Sequence, residues 1–237
     1  MTRPFHFKQF TIAQDRCAMK IGTDGVLLGA WTSLENQPAK LLDVGSGTGV
    51  IALQLAQRSN APVIDAVEID TEAYEQCVEN FEDSPWADRL FCYHASLQEF
   101  ASEIDETYDL IIANPPFYSE DYKSENLARD TARFNDALPF EHLVVCSAHL
   151  LSESGILAVV LPKKEENAFI SLAEQHGMFP RRICRVRGNI NSEEKRSLME
   201  FGFQKKKPEI AALTIETSRH QYTDAYIQLV QDFYLNM

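Results

Sequence analysis

Leu41-Leu42-Asp43-Val44-Gly45-Ser46-Gly47-Thr48-Gly49-Val50-Ile51-Ala52-Leu53 is the stretch whose reading decides the fold. An apolar run ends on an acid, three glycines follow at alternate positions, and an apolar pattern of helical spacing resumes at once. That is a buried strand feeding a tight loop into a helix. Glycine permits the sharp turn and lets backbone approach a ligand where a side chain would intrude. Working outward, strands are expected near 40–45, 63–68, 89–93, 108–113 and 155–161, separated by helical patterns near 48–58, 72–83, 96–103, 140–150 and 164–176. Such alternation specifies an α/β fold with a largely parallel sheet and helices on both faces. Upstream, Thr23 or Asp24 is the expected N-cap of a short helix through Trp31. Beyond 178 the stretches 181–187, 196–204 and 210–217 read as antiparallel strands, and Thr223 caps a last helix running to about Leu235.

The loop's spacing bears on its ligand. A dinucleotide fingerprint places its glycines as G-x-G-x-x-G and rests a pyrophosphate on the helix end. Here the third glycine arrives one residue early, and Asp43 stands two residues before the first. A carboxylate at that mouth suits a cation and repels a pyrophosphate; S-adenosylmethionine carries both an ammonium and a sulfonium. Glu68 closes the run Val63-Ile64-Asp65-Ala66-Val67, 19 residues past Gly49, where a carboxylate can accept from both ribose hydroxyls of either ligand.

A second short string, Asn114-Pro115-Pro116-Phe117, ends the run Leu110-Ile111-Ile112-Ala113. Two consecutive prolines fix φ twice, remove two donors and keep Asn114 out of the helical region. The stiffened strand end offers acceptors: the Asn114 side-chain oxygen and the Pro115 carbonyl can both receive hydrogens from one planar NH2 group, while Phe117 supplies a ring face. In a doubly wound sheet both strings fall at carboxyl ends of strands, where ligands gather.

Composition sets bounds. With 237 residues, 45% of them hydrophobic, the chain can bury one full core. The longest aliphatic run, Ile156 to Leu161, is too short to span a bilayer, and no secretory-type core precedes it, so a cytoplasmic location is expected. Five cysteines with no C-x-x-C pair argue against a disulfide framework or a zinc site. His94, His142 and His149 form no ligand pattern, and no metal is expected. The net charge of −13 disfavours a polyanionic partner as a whole. Its distribution does not: between 181 and 207, nine cationic side chains face three acidic ones, a local +6 in a remainder of −19. Arg181, Arg182, Arg185, Arg187, Lys195 and Arg196, with Lys123, Arg129 and Arg133 in the polar stretch 117–138, are the candidate phosphate contacts.

Asp-x-Gly-x-Gly-x-Gly with Asn-Pro-Pro-aromatic resembles the class I S-adenosylmethionine-dependent methyltransferases that act on planar amino groups. The block Asp15-Arg16-Cys17-Ala18-Met19-Lys20-Ile21-Gly22-Thr23-Asp24-Gly25-Val26-Leu27-Leu28-Gly29-Ala30-Trp31, preceded by Phe7-Lys8-Gln9-Phe10, is similar to the bacterial tRNA1(Val) (adenine(37)-N6)-methyltransferase family. Supporting likeness lies at 84–89, 159–162 and 222–237. The resemblance implies a Rossmann-like class I methyltransferase fold in one domain over 1–237, with 1–31 as an N-terminal extension that helps close the donor site. It implies that Thr23, Asp24, Gly25, Asp43, Gly45, Gly47, Gly49 and Glu68 hold S-adenosylmethionine. Asn114, Pro115, Pro116 and Phe117 would hold the adenine of a tRNA substrate, with no membrane, metal or obligate protein partner. Two departures stand out. Ala95-Ser96 replaces the aspartate that often meets the donor's adenine, leaving Ser96 a weaker or water-mediated contact. Phe117 stands where many members carry tyrosine. Alternatives on the same tetrapeptide are a protein glutamine-amide or rRNA guanine-N2 methyltransferase, or a non-catalytic module binding S-adenosylmethionine and RNA.

Overall fold

The computed structural model describes residues 3–116 and 138–237; Phe117, Lys123, Arg129 and Arg133 lie outside the described residues. A short antiparallel pair, β1 (Phe5–His6) and β2 (Thr11–Ile12), precedes helix α1 (Thr23–Trp31). Then follow β3 (Lys40–Val44), α2 (Val50–Arg58), β4 (Val63–Glu68), α3 (Thr71–Glu82), β5 (Leu90–His94), α4 (Leu97–Glu103) and β6 (Tyr108–Ala113). After the undescribed stretch come α5 (Phe140–Leu150), β7 (Leu151–Pro162), a 3-10 turn at Lys163–Glu165, α6 (Glu166–Gln175), β8 (Phe179–Asn189), β9 (Glu194–Gly202), β10 (Glu209–Ser218), β11 (Gln221–Tyr222) and α7 (Asp224–Val230).

Nine strands form one sheet in the order β11-β10-β8-β9-β7-β6-β3-β4-β5. Leu41, Leu42, Ile64, Leu110, Ile111 and Ile112 are buried to within 1% of complete, as expected of parallel strands covered on both faces. One face packs into a cluster containing Val26, Leu28, Ile51, Leu53 and Val230 from α1, α2 and α7. The other collects Leu97, Phe100, Leu143, Val144 and Phe169 from α4, α5 and α6.

The last strands correct one expectation. β9 is antiparallel to both β7 and β8, but β10 runs parallel to β8. Both edges of β9 are already paired, so β10 must add to the free edge of β8. Having turned back from the end of β9, it travels in the direction of β8. Two helix ends also differ. Gly22, not Thr23 or Asp24, is the N-cap of α1 and gives no side-chain cap. Thr223 does cap α7, accepting from the Tyr226 amide, but the helix stops at Val230. Phe233 then donates its amide to the Val230 carbonyl, and Tyr234 bridges to Phe7.

Candidate functional site

The glycine loop is set by backbone geometry and by an inward hydrogen-bond network. Gly45, Gly47 and Gly49 have φ of 68°, 53° and 78°, the left-handed region that glycine enters without steric cost. The amides of Gly45 and Ser46 donate to the Val67 carbonyl at 2.9 and 3.2 Å, that of Gly47 to Glu68 Oε2 at 2.8 Å, and that of Gly49 to the Ser46 carbonyl at 2.8 Å. These donors are therefore turned to the protein, whereas a phosphate cradle needs them turned outward. A Cβ built on Gly45 or Gly47 would meet nothing within 4 Å, so the loop borders open space on that side.

Two carboxylates flank this space. Glu68, 8% exposed, also accepts from the Asp70 amide at 2.9 Å through Oε1. Asp43 is 1% exposed; Oδ2 accepts from the Ala52 amide at 3.1 Å, while Oδ1 has no hydrogen-bond partner. Burial pushes the Asp43 carboxyl up to about 7, only partly countered by the Ala52 hydrogen bond and reinforced by the nearby Glu68. An orphaned buried oxygen beside a negatively charged neighbour suits a cationic ligand, which would compensate both. The residues present thus fit S-adenosylmethionine better than a dinucleotide.

Across from the loop, β6 ends at Asn114, with Pro115 buried and Pro116 half-buried. Gly25 in the first turn of α1 brings three elements together. Its absent Cβ would lie 3.6 Å from Val50 Cγ1 of α2 and 3.7 Å from Asn114 Nδ2. Asp24, one residue earlier, receives Arg196 Nε of β9 at 2.7 Å on Oδ2. The donor residues expected on α1 and the strand end expected to hold an amine are brought together here.

Some assignments fare differently. Ser96 is half-buried and committed to a capping box: its hydroxyl donates to Glu99 Oε2 at 2.7 Å and accepts from the Glu99 amide, and Glu99 also accepts from the Ser96 amide. Those bonds hold the Glu99 carboxyl below its usual value, and they give Ser96 a helix-capping role. Arg182 stacks on the Trp31 ring at 4.4 Å and pairs with Glu200 at 2.9 Å. Arg185 pairs with Glu166 at 2.8 Å, and Arg187 donates to Thr214 Oγ1 at 2.8 Å. Glu200 and Glu166 are each 1% exposed, and a buried carboxylate demands such a partner. Burial alone would raise Glu166, but hydrogen bonds from Arg185, Ser197 and Lys163 outweigh it and hold the carboxyl below its usual value. Much of the basic stretch is thus spent inside the fold.

Other residues at the site escaped the sequence reading. Gln76 and Asn80, four apart on α3, are buried amides that stitch the N-terminal segment down: Gln76 Oε1 accepts from the amides of Arg16 and Cys17, and Asn80 exchanges two hydrogen bonds with Ala13 while donating to the Thr48 carbonyl. Their signal was available, two amides at positions that α3 buries beside Ala73, Cys77 and Phe81. Ile69, directly after Glu68, is 50% exposed, an apolar side chain open to solvent beside that carboxylate.

A family model described as the methyltransferase small domain matches residues 25–179. A tRNA1(Val) (adenine(37)-N6)-methyltransferase of Christiangramia forsetii is 59% identical over 237 residues, covering 99% of each chain. The enzyme of the same name from Bacteroides fragilis strain NCTC 9343 is 43% identical over 239 residues and the whole of both chains. The chain belongs to the tRNA1(Val) (adenine(37)-N6)-methyltransferase family. Solved structures agree on the fold. A predicted O-methyltransferase from Agrobacterium tumefaciens superposes with a TM-score of 0.66 at 18% identity, over 89% of this chain and 96% of its own. A ribosomal protein L11 methylase from Lactobacillus delbrueckii gives 0.52 at 16% over 74% and 75%. As a member of this family the chain has the class I methyltransferase fold. Among the described residues no helix is long and apolar enough to cross a membrane.

Proposed function

We propose that this protein transfers a methyl group from S-adenosylmethionine to N6 of adenine 37, beside the anticodon of tRNA1(Val). The observation that carries the reading is the meeting at Gly25, where α1, the helix of the glycine loop and Asn114 come within van der Waals reach. When bound, S-adenosylmethionine supplies an electrophilic methyl carbon on a cationic sulfur. Asp43 faces that cation, Glu68 accepts from the ribose hydroxyls, Gly45 and Gly47 leave the ligand room, and Thr23, Asp24 and Gly25 close its amino-acid end. The Asn114 side-chain oxygen and the Pro115 carbonyl accept from the adenine NH2, favouring a pyramidal nitrogen whose lone pair would form the new N–C bond as the carbon–sulfur bond breaks, with the surplus N6 proton released to solvent. Phe117 replaces the stacking neighbour that the flipped base loses. Most of the acceleration comes from positioning two bound partners, an effect that reaches roughly 7–11 kcal/mol. The chain acts as one domain in which residues 1–31 help close the donor side, a role supported by the Gln76 and Asn80 stitching.

The test is incubation with labelled S-adenosylmethionine and separate pools of tRNA and protein, followed by digestion to nucleosides or amino acids. N6-methyladenosine from tRNA is expected; label only in protein glutamine, or in no acceptor, refutes the assignment.

Two predictions belong here. Asp43 titrates near 7 in the fold against about 3.9 in an unfolded chain. A carboxyl raised in this way adds stability below about pH 4 that is lost as pH rises toward 7, up to about 4 kcal/mol. Asp43→Asn abolishes that loss but leaves an unpartnered amide group, at a cost of about 1–3 kcal/mol. The variant is expected to melt below wild type at pH 4 and above it at pH 8, while binding S-adenosylmethionine more weakly at both. Parallel melting offsets at the two pH values would show that the buried charge is not the cause.

Arg196 is better read as a positioning residue than as a phosphate contact. With about one third of each side chain exposed, its pair with Asp24 stabilises by about 0.2–1 kcal/mol. Arg196→Ala should therefore raise the KM for S-adenosylmethionine about two- to five-fold with kcat little changed, and Arg196→Lys should restore part of it. A change in tRNA KM alone would return Arg196 to the RNA surface.

A further inference from the structure

The basic stretch, one run in the sequence, is divided by the fold between two opposite edges of the sheet. β8 starts at the edge far from the pocket and ends beside it. β9 returns from the pocket edge to the far edge, and β10 sets out again from there. Arg187 and Lys195 accordingly lie at the pocket edge, near the carboxyl ends that carry the glycine loop and Asn114. Arg181, with Lys205, Lys206 and Lys207 in the connection between β9 and β10, lies at the far edge. Arg181 packs over Gly202, whose absent Cβ would touch its Cδ at 3.0 Å, so it sits against the root of the lysine connection.

The far-edge cluster has the stronger charge. All four side chains belong to exposed residues; Lys205 lies over the Phe179 ring at 5.3 Å. The acids on the adjoining strands are Glu200, which is buried and engaged by Arg182 and the Ser33 amide, exposed Glu209 at the start of β10, and exposed Glu153 in β7, two residues before Gly155, whose carbonyl lies 3.5 Å from the same absent Cβ of Gly202, so four cations face two exposed acids. At the pocket edge Lys195 shares its turn with Glu193 and Glu194, and the local charge nearly cancels. Between the two edges β10 presents Ile210, Ala211 and Ala212 to solvent, uncharged side chains that do not repel a polyanion. Along the strand direction the separation is that of β8, whose eleven residues make steps of roughly 3.3 Å that add to about 33 Å from first to last. That is comparable to a short RNA stem with its loop.

We propose that Arg181, Lys205, Lys206 and Lys207 form a second tRNA contact, which grips backbone phosphates where the anticodon arm joins the body while the loop base occupies the pocket at Asn114. The enzyme then recognises its substrate at both ends of that arm. This rests on the reading that tRNA is the acceptor. Phosphate contacts are sequence-independent and release counterions, so their loss weakens binding and flattens its salt dependence.

The experiment compares a full-length tRNA1(Val) transcript with its isolated anticodon stem-loop, using wild type, K205A/K206A/K207A and K205E/K206E/K207E. Wild type is expected to prefer the full transcript by about tenfold or more in kcat/KM near 0.1 M salt. The Glu variant should bring the full transcript down to the stem-loop value, the Ala variant part of the way, with stem-loop activity and melting temperature unchanged and a flatter salt slope for the transcript. Equal losses on both RNAs, or no loss on either, overturn the second contact while leaving the acceptor assignment standing. Methylation of neither RNA by wild type would remove both.

Discussion

Gly49→Ala is expected to lower the unfolding free energy by about 2–5 kcal/mol, the sum of two separate costs. Gly49 has φ +78°, and placing a side chain in that left-handed region costs roughly 1–2 kcal/mol. The new Cβ would also stand 2.6 Å from Phe81 Cε1 and 3.0 Å from Cys77 Sγ. Phe81 is 2% and Cys77 0% exposed, so neither can retreat without disturbing the packing of α3, and overfilling a core costs about 1–3 kcal/mol. In a domain of this size the sum corresponds to a melting temperature lower by roughly 4–20 °C. Gly45→Ala provides the contrast: φ is +68° but nothing lies within 4 Å of its Cβ, so it should lose less than half as much stability while still obstructing the ligand side of the loop. Thermal unfolding of the two variants side by side checks this; equal melting temperatures would mean that the Phe81 contact relaxes freely.

Asn114→Ala carries the largest expected effect on turnover. Its side-chain oxygen is one of two acceptors proposed for the adenine amine, and an acceptor in such a place contributes about 1–3 kcal/mol. Transfer should slow by roughly ten- to a hundred-fold. Donor affinity should be nearly intact, because Asp43, Glu68 and the loop are untouched. The residue is half-buried at a strand end, so the fold should tolerate the change, and a normal melting curve makes the kinetic loss interpretable. Single-turnover rates with saturating S-adenosylmethionine are the measurement, and a rate equal to wild type would remove Asn114 from the chemistry.

How much of this was legible beforehand depends on how local the cause is. The strands at 40–44, 63–68, 90–94 and 108–113 follow from uninterrupted apolar runs bounded by polar turns, and periodicity places them within a residue or two. The glycine loop was legible for the same reason, since its left-handed angles are a property of single residues. The direction of β10 was not, because it depends on which edges β7 and β8 have already filled around β9. The fate of the arginines was hidden likewise. Arg182 and Arg185 look like free surface charge until Glu200 and Glu166 are found buried beside them, and Glu166 lies 19 residues before Arg185. Gly22 displaced the expected cap of α1, and Asp24 was drawn instead to Arg196, 172 residues away. Pairings over such separations are tertiary, and no window on the chain displays them.

The inward-turned amides of residues 45–47 and the acids on either side of them also bear on what the pocket lets go. Once a methyl group departs, sulfur loses its positive charge and the spent molecule becomes a neutral thioether along its middle. On the proposed assignment, Asp43 would then attract it less than it attracted the fresh one, which would favour exchange after each cycle. Adenosine triphosphate shares the same nucleoside yet would bring negative charge to a rim of acids, so on that assignment the arrangement would discriminate by sign between molecules with a common sugar and base.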